Sequence, residues 1–315
     1  MPVLVVVNPH ATGVDRARLD CLLDTLRGVM RTEAAETTGR GHGVALARDA
    51  MRGREVDAVV ALGGDGTVNE VANGLLADGA HGHIPALGVV PGGATNVFAR
   101  SLGLPRDFQA AADVLRCHLR TAQCRTIGVG RVNERYFLFA AGVGLDAAIV
   151  ADVEEQRARG RRSSLSRTAG TAVRHLLVRS SAGLRLQRSG FPPCDGLRWL
   201  VVANSDPWTY VGHLPLRATP HASFDTRLDL CARRTTNPLA LIRSVARMAG
   251  RTPHKPCRGE LFAHDVDRFT VRSDRPVPVH VDGDPLGYRV RLRFASVSRA
   301  LRVLAPSPLA QEEPT

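Results

Sequence analysis

The sequence predicts an α/β N-terminal domain followed by a mainly antiparallel, β-sandwich-like second domain. In residues 1–125, short continuous apolar runs alternate with stretches in which apolar residues recur every three or four positions. This alternation is typical of parallel strands connected by helices. In residues 126–305, short strands separated by Gly, Pro and Asp turns follow one another closely, as they do in antiparallel sheets.

The elements of the first domain are assigned from their apolar spacing. Leu4 to Val7 is a continuous apolar run and predicts a buried strand, whereas Leu19, Leu22 and Leu26 recur at helical spacing. The expected order after them is helix Val44 to Arg52, strand Val56 to Leu62, helix Val68 to Ala77, strand Ala86 to Val90, helix Thr95 to Leu102 and helix Ala110 to Leu119.

The second domain is expected to consist mostly of strands. An arginine-rich insertion at about 154–179 interrupts them, and 306–315 is a polar tail. The last strand is compatible with a return to the first domain. The expected strands are 125–132, 136–141, 198–203, 268–273, 277–281, 288–294 and 299–304.

Charge and composition limit the partners. The formal net charge is +12, and Lys255 is the only lysine among 42 basic residues. A basic surface attracts phosphate-rich partners, either nucleic acid or an anionic membrane. Aromatic residues make up only 4%, and no nucleic-acid-binding motif is present, so nucleic acid is the weaker alternative.

The cellular location is expected to be the cytoplasm. No apolar run approaches the ~18 residues of a membrane span, and the N-terminus lacks the basic leader of a signal peptide. The six cysteines are scattered and form no C-x-x-C pair, which favours reduced thiols.

Three loops that each follow an apolar strand predict a phosphate or nucleotide site. They are 8–13 (Asn-Pro-His-Ala-Thr-Gly), 63–67 (Gly-Gly-Asp-Gly-Thr) and 91–96 (Pro-Gly-Gly-Ala-Thr-Asn). Glycines let a ligand approach the main chain, and the helix N-terminus after the loop attracts anions. Neither the P-loop pattern nor G-x-G-x-x-G fits, because no lysine is available and Asn69 stands where the third glycine should be.

Asp65 has two interpretations. A carboxylate in an anion site would repel phosphate unless a metal compensates, so Asp65 is a candidate Mg²⁺ ligand. Alternatively, it caps the helix expected to begin near Val68.

Together these segments resemble the catalytic domain of diacylglycerol kinases, a family that includes sphingosine kinases and bacterial lipid kinases. The resemblance covers nearly the whole chain, in the family's order, although the Gly-Asp-Gly loop is also found in NAD kinases and phosphofructokinases. The matching segments are Asn8-Pro9 with Gly13, 63–67 with Asn69-Glu70, 91–100, 141–146, 220–225 and 281–287.

The resemblance implies a NAD kinase/diacylglycerol kinase-like fold with the active site in the cleft between its domains. It also implies ATP as co-substrate and Mg²⁺. With the loops, it gives the expected ATP-binding residues Asn8, Pro9, Gly13, Thr37, Gly63, Gly64, Asp65, Gly66, Thr67, Asn69, Glu70, Gly92, Gly93, Thr95 and Asn96.

The resemblance also implies the catalytic residues. Asp284 stands where the family has a glutamate as proposed base, and Asp282 or Asp65 could share that role; without the resemblance, Asp282-Gly283-Asp284 would be taken for a plain hairpin turn. Asp225 corresponds to a family position that holds a structural Mg²⁺. Ala94 and Val97 replace the family's usual threonine and aspartate.

The function expected from the sequence is an ATP-dependent lipid kinase, with diacylglycerol as the first acceptor to test. A sphingoid or other lipid acceptor, an NAD kinase-like activity and a catalytically inactive nucleotide-binding module remain alternatives. The implied surface is the anionic inner face of the membrane, and a homodimer is compatible with the resemblance. One candidate docking cluster contains Arg157, Arg159, Arg161, Arg162 and Arg167.

Overall fold

The computed structural model of the chain describes residues 2–80, 83–158, 182–234, 237–250 and 259–307. The chain divides into two units. The first comprises the residues up to Ile127 together with those from Arg299 onward, and the second comprises Gly128–Ser298. The arginines at 159, 161, 162 and 167 lie outside the described residues, as does most of the insertion expected at 154–179.

The first unit alternates strands with helices. In chain order its elements are β1 (Val3–Val7), α1 (Arg16–Arg27), β2 (Thr32–Glu36), α2 (His42–Gly53), β3 (Ala58–Gly63), α3 (Asp65–Leu75), β4 (Ala86–Pro91), α4 (Val97–Ser101) and α5 (Phe108–Thr121).

The four strands of this unit are parallel and lie in the order β4-β3-β1-β2. Val303, near the C-terminal end of the described chain, pairs in parallel with Leu87 of β4. Every residue of β3 is buried, as expected for a parallel strand covered on both faces. The carboxyl ends of β1, β3 and β4 therefore lie next to one another at one edge of the sheet.

The helices of the first unit start and pack for local reasons. Asp15 caps α1 by accepting a hydrogen bond from the amide of Arg18 (2.8 Å), and Asp107 caps α5 through the amide of Ala110 (2.9 Å). α1 and α5 share one apolar core with alternate residues of β1. α2 packs on α3, where Gly74 leaves room for the backbone of α2.

The second unit consists mainly of strands. β5 begins and β16 ends in the first unit, but most of each strand lies in the second. The elements are β5 (Arg125–Val132), β6 (Arg135–Phe137), β7 (Ala140–Gly144), α6 (Leu145–Ala158), β8 (Leu184–Gln187), β9 (Cys194–Leu197), β10 (Trp199–Ala203), β11 (Thr209–Val211), β12 (Leu214–Leu216), β13 (Leu228–Arg233), α7 (Pro238–Met248), β14 (Glu260–Val266), β15 (Arg268–Val281) and β16 (Asp284–Val303).

The central strands of this unit lie in the order β14-β13-β10-β7-β15-β16, and each neighbouring pair with a described register is antiparallel. Alternate residues face two different cores. One side of β7 and β15 contributes Val143, Val279 and Val281 to a large apolar cluster, and a smaller cluster forms around Leu145 and Trp199. The α/β and antiparallel fold classes predicted from the sequence are thus confirmed.

Several predicted boundaries were wrong. Thr32–Glu36 is a strand that the apolar pattern did not reveal, because its Thr-Glu-Ala-Ala-Glu sequence is mostly polar. The single strand expected at 136–141 is two strands, β6 and β7, interrupted at 138–139. The four strands expected after residue 268 are two long ones, β15 and β16, because their irregularities are local and do not end the pairing.

Candidate active site

The three glycine-containing loops of the first unit are joined by main-chain hydrogen bonds. The amide of Gly13 donates to the carbonyl of Gly92 (2.8 Å), and the amide of Gly92 donates to the carbonyl of Gly63 (2.8 Å). The loops after β1, β3 and β4 therefore form one connected surface at the carboxyl edge of the parallel sheet. Ligands of open α/β sheets bind at this edge.

Glycine is required in these loops because their backbones touch. A Cβ atom on Gly93 would lie 2.5 Å from Cα of Gly64, and one on Gly13 would lie 3.0 Å from the carbonyl oxygen of Gly92. A side chain at Gly93 would force one of the two loops to move, and one at Gly13 would be a tight contact. The glycines thus have a packing role in addition to the ligand-approach role inferred from the sequence.

Asp65 joins the second and third of these loops. It is the first residue of α3, and its two carboxylate oxygens accept hydrogen bonds from the amides of Val97 (3.0 Å) and Phe98 (3.1 Å), which begin α4. The alternative interpretation, that Asp65 caps its own helix, is therefore wrong, since the carboxylate binds the N-terminus of the next helix.

The third loop is closed by its own asparagine. Asn96 has a left-handed backbone (φ 49°), accepts a hydrogen bond from the amide of Gly93 (2.9 Å) and donates one to the carbonyl of Gly93 (2.7 Å). This ring ends the loop, so α4 starts at Val97 and not at Thr95 as expected. Thr95 and Ala94 line a cavity beside the loop.

Other expected ATP-binding residues hold neighbouring elements together. Buried Glu70 accepts hydrogen bonds from the amides of Gly41 (2.7 Å) and Gly43 (3.0 Å), at the start of α2. Asn8 donates to the hydroxyl of Thr67 (3.2 Å).

The remaining expected ATP-binding residues have varied surroundings. Thr37 is buried, and its amide donates to the carbonyl of Val7. Asn69 is buried beside Asn73. Gly64 and Gly66 flank Asp65, and Pro9 is exposed after β1.

A cavity of about 240 Å³ opens beside the third loop. Its wall contains three arginines, Arg18, Arg100 and Arg106, together with residues of the loop. Arg18 is oriented by a hydrogen bond to the carbonyl of Gly13 (2.7 Å). The arginines and loop amides supply the positive potential that phosphates need.

The donor types around Asp65 fit magnesium. Mg²⁺ prefers oxygen ligands and usually takes one or two carboxylates, with water and phosphate oxygens completing its shell. Asp65 and the hydroxyl of Thr67 are ligands of this type. No group of three or more His, Cys, Asp or Glu side chains among the described residues is arranged to hold a metal alone, so nucleotide oxygens would be needed.

In the segment that begins at Asp225, in the second unit, the second acid is Asp229, and it contacts the protein itself. Asp229 accepts hydrogen bonds from the amide of Asp265 (3.1 Å) and contacts Nδ1 of His264 (2.7 Å). Burial raises the pKa of Asp229, and these two contacts act against that effect. Asp225 lies on an exposed turn, where its amide donates to the hydroxyl of Ser223 (3.2 Å). Its role as a magnesium ligand stays a prediction.

Asp282 is a structural anion of the second unit. Its side chain is 3% exposed and accepts hydrogen bonds from the amides of Leu138 (2.7 Å), Phe139 (3.0 Å) and Ala140 (3.1 Å). These amides lie where β6 ends and β7 begins, which explains the interruption between the two strands. Asp282 is almost fully buried and its two oxygens accept three amides, so it is less suited than the half-buried Asp284 to the base role that the family resemblance implies.

Asp284 follows directly in a two-residue hairpin. Val281 pairs with Asp284, and the two turn residues, Asp282 and Gly283, have φ values of 48° and 82°. Positive φ at both positions is the geometry of the type I′ turn that Asp-Gly favours. Asp284 is half-buried, at the first position of β16. The hairpin geometry and a catalytic role for Asp284 are therefore compatible.

A buried histidine–aspartate pair, which the sequence did not reveal, lies two residues before this turn. Nε2 of His280 is 2.6 Å from Oδ2 of Asp146, and the two residues are 3% and 6% exposed. Nδ1 of His280 is buried without a hydrogen-bond partner among the described residues. The signal available in the sequence was a polar residue, His280, within the otherwise apolar run from Val277 to Val281.

Comparisons with known proteins identify the family. The model of the diacylglycerol kinase catalytic domain matches residues 2–132. A diacylglycerol kinase of Bacillus subtilis (strain 168) is 30% identical over 286 residues, which cover 89% of this chain and 88% of that protein. One of Staphylococcus aureus (strain MRSA252) is 34% identical over 319 residues, which cover 98% and 94%. This chain belongs to the diacylglycerol kinase family. It is therefore an ATP-dependent kinase with a hydroxyl group as acceptor.

Solved structures agree on the fold of this diacylglycerol kinase family member. The crystal structure of a putative diacylglycerol kinase from Bacillus anthracis str. Sterne superposes with a TM-score of 0.75, covering 97% of both chains at 19% sequence identity. A second such structure from the same organism gives 0.74 at 20% identity. None of the helices in the described ranges is long and apolar enough to cross a bilayer.

Proposed function

We propose that this kinase transfers the γ-phosphoryl group of ATP to the free hydroxyl of diacylglycerol, forming phosphatidic acid. Two diacylglycerol kinases match this chain over 88% and 94% of their own length. The single observation that carries the site assignment is the connected surface of three glycine-containing loops, with the N-terminus of α3 and three arginines beside it.

The first unit binds the nucleotide in this proposal. Amides in the loops and in the first turn of α3 donate to phosphate oxygens, and Arg18, Arg100 and Arg106 add positive charge. Asp65 and Thr67 are the residues that would hold Mg²⁺, which neutralises the charge on the phosphates when bound. Fixed donors of this kind stabilise the charge that develops on the transferred group.

The second unit supplies the base. As the acceptor oxygen forms its bond to the γ-phosphorus, its proton passes to the carboxylate of Asp284, and the bond to the β–γ bridging oxygen breaks to release ADP. Asp284 suits this role better than Asp282 because the oxygens of Asp282 hold three backbone amides.

The test is turnover of radiolabelled ATP with a panel of acceptors: diacylglycerol, sphingosine, a monoacylglycerol and NAD⁺. We expect diacylglycerol to be labelled most strongly. Labelling of NAD⁺ alone would support an NAD kinase-like enzyme, and ATP binding without any labelled product would support an inactive nucleotide-binding module.

The assignment of the base is tested with Asp284→Asn. We expect kcat to fall by about 10² to 10⁴, the usual range for a lost base, while affinity for ATP stays within twofold. Asp274→Asn, which changes an exposed aspartate on β15 of the same hairpin, is the matched control and should retain wild-type turnover. An unchanged kcat in Asp284→Asn would show that another group takes the proton.

The proposal includes the cytoplasmic face of an anionic membrane as the working location. Diacylglycerol resides in a bilayer, and a net charge of +12 favours anionic lipid. A homodimer is compatible with the family resemblance, and light scattering on the purified protein would detect it as twice the 33.8 kDa mass of the chain.

A further inference from the structure

We propose that Asp146 and His280 are positioning residues that fix the hairpin carrying Asp284. The inference rests on the proposed function, in which Asp284 is the base. The two residues have no assigned contact with ATP or the acceptor. They affect the rate of phosphoryl transfer by holding Asp284 in place.

The first observation is the pair itself. Nε2 of His280 lies 2.6 Å from Oδ2 of Asp146, in a site where both side chains are more than nine-tenths buried. Nδ1 of His280, also buried, has no hydrogen-bond partner within the described part of the chain. Burying two polar side chains and leaving one nitrogen unpaired costs free energy. An apolar residue at 280 would avoid that cost, so burial alone does not account for a histidine at this position.

The second observation is the space kept open for the pair. His280 of β15 is opposite Gly142 of β7. A Cβ atom on Gly142 would overlap both Oδ2 of Asp146 and Nε2 of His280. Asp146 is the second residue of α6, directly after β7 ends at Gly144. The contact therefore ties the start of α6 across β7 to the strand that leads into the hairpin.

The third observation is a β-bulge at the same place. Val279 pairs with Gly287, but the next residue, His280, pairs with Pro285, so β16 has one extra residue there. A bulge bends its strand and changes the direction of nearby side chains. The His280–Asp146 contact lies at this bulge and adds a side-chain contact to the pairing of β15 with β7.

Two side chains thus hold the hairpin tip from different directions. Asp282 binds the backbone where β6 meets β7, and His280 binds Asp146 on α6. His280 lies before the turn, Asp282 is its first residue, and Asp284 follows it directly on β16. Displacing a reacting group by about 1 Å can cost about 10² in rate, even when the substitution is distant from the chemistry.

The test compares His280→Leu with His280→Gln. Leucine removes the bond to Asp146, whereas the amide of glutamine can place an N–H donor near the position of Nε2. We expect kcat with saturating ATP and diacylglycerol to fall about 10- to 100-fold in His280→Leu, and to stay within threefold of wild type in His280→Gln. The ATP dissociation constant should change less than twofold in both.

A double variant shows whether the effect passes through Asp284. If His280 acts only by positioning that carboxylate, His280→Leu/Asp284→Asn should have the same kcat as Asp284→Asn within about twofold, because residues acting as a unit are not additive. A double variant whose loss of kcat equals the product of the two single losses would overturn the inference. So would wild-type kcat in His280→Leu.

Loss of folding is separated from loss of positioning by two further proteins. Ser244→Ala removes another buried hydrogen bond of the second unit, from Ser244 to Glu260 (2.6 Å), and should lower the melting temperature without lowering kcat. If His280→Leu does not fold, Asp146→Ser removes the same contact with a smaller side chain and should give the same fall in kcat; wild-type kcat in it overturns the inference.

The outcomes also separate this inference from the proposed function. A lowered kcat in Asp284→Asn with an unchanged kcat in His280→Leu contradicts the positioning role alone. An unchanged kcat in Asp284→Asn contradicts the base assignment and the positioning role together.

Discussion

At the scale of single residues, carboxylates of this kinase bind backbone amides that are distant in sequence. Asp65 holds two amides of α4, 32 and 33 residues away, and Asp282 holds three amides at the junction of β6 and β7. Hydrogen bonds to a charged group contribute more than neutral ones, about 1.5–3 kcal/mol each in favourable settings. These acids therefore shape the site before any ligand binds.

Asp65→Ala should lower both stability and activity. Removing a carboxylate that holds two helix-starting amides is expected to cost about 1–2 kcal/mol of unfolding free energy, measured by urea denaturation. Turnover should fall much further than that loss explains, because the loop beside the cavity is released and a candidate magnesium ligand is removed. Asp15→Ala, which removes the cap of α1, is the control for stability alone.

The outcome that would contradict this view is equal turnover in the two variants. In that case Asp65 would be a helix cap and nothing more. A loss of turnover that high Mg²⁺ restores would instead assign most of its role to the metal.

Cys231 should resist thiol reagents in the folded protein. Burial raises the pKa of its thiol to about 12, so at pH 8 it is protonated as well as inaccessible. Cys21 and Cys117 are exposed. Peptide mass spectrometry after iodoacetamide treatment should find label on these two and none on Cys231 until urea is added. Label on Cys231 in native buffer would mean that β13 opens.

At the scale of elements, the site depends on close contact between loops. The loops after β1, β3 and β4 meet backbone to backbone at Gly13, Gly63, Gly64, Gly92 and Gly93. This explains why the loops are rich in glycine although neither standard nucleotide fingerprint is present. In the proposed site, the loops can present amides to a ligand because their backbones are held against one another.

Gly93→Ala should therefore destabilise the first unit. Its methyl group would lie 2.5 Å from Cα of Gly64, so one of the two loops must move. Overpacking of this kind usually costs about 1–3 kcal/mol, and weaker ATP binding should accompany it. Gly53→Ala is the matched control, because the nearest atom to its new Cβ is 3.8 Å away. Equal stability of the two variants in urea would contradict the contact.

At the scale of the whole molecule, the proposed membrane location leads to a prediction about charge. The chain has 42 basic and 30 acidic residues, and nearly all the basic ones are arginine. Each arginine near an anionic leaflet contributes about 1 kcal/mol of attraction. A kinase with a lipid acceptor gains from this attraction because it raises the time spent at the bilayer.

Vesicle binding should accordingly depend on lipid charge and salt. In sedimentation assays we expect binding to vesicles with phosphatidylserine or phosphatidylglycerol to exceed binding to phosphatidylcholine vesicles at least tenfold at low salt. The difference should shrink in 0.5 M NaCl, where the Debye length is below about 8 Å. Equal binding to charged and neutral vesicles would remove electrostatics as the cause of docking.

The amino-acid sequence by itself determined the local features of this protein. The spacing of apolar residues identified most strands and helices of the first unit. This spacing depends only on which face of an element is buried, and that is a local property. The dipeptide Asp282-Gly283 indicated a hairpin, and the structure has that turn. Glycines directly after three strands indicated a ligand-binding edge. None of these inferences needed a contact between residues far apart in the chain.

Only the tertiary structure decided what the polar side chains bind. Asp282 and Leu138 are separated by 144 residues and His280 and Asp146 by 134, and no periodicity in the sequence relates such pairs. Their partners follow from which strands become neighbours, β7 beside β15, and from the register between them. A hydrogen bond is effective only within about 3 Å, so its partner becomes known when the backbone brings the two groups together.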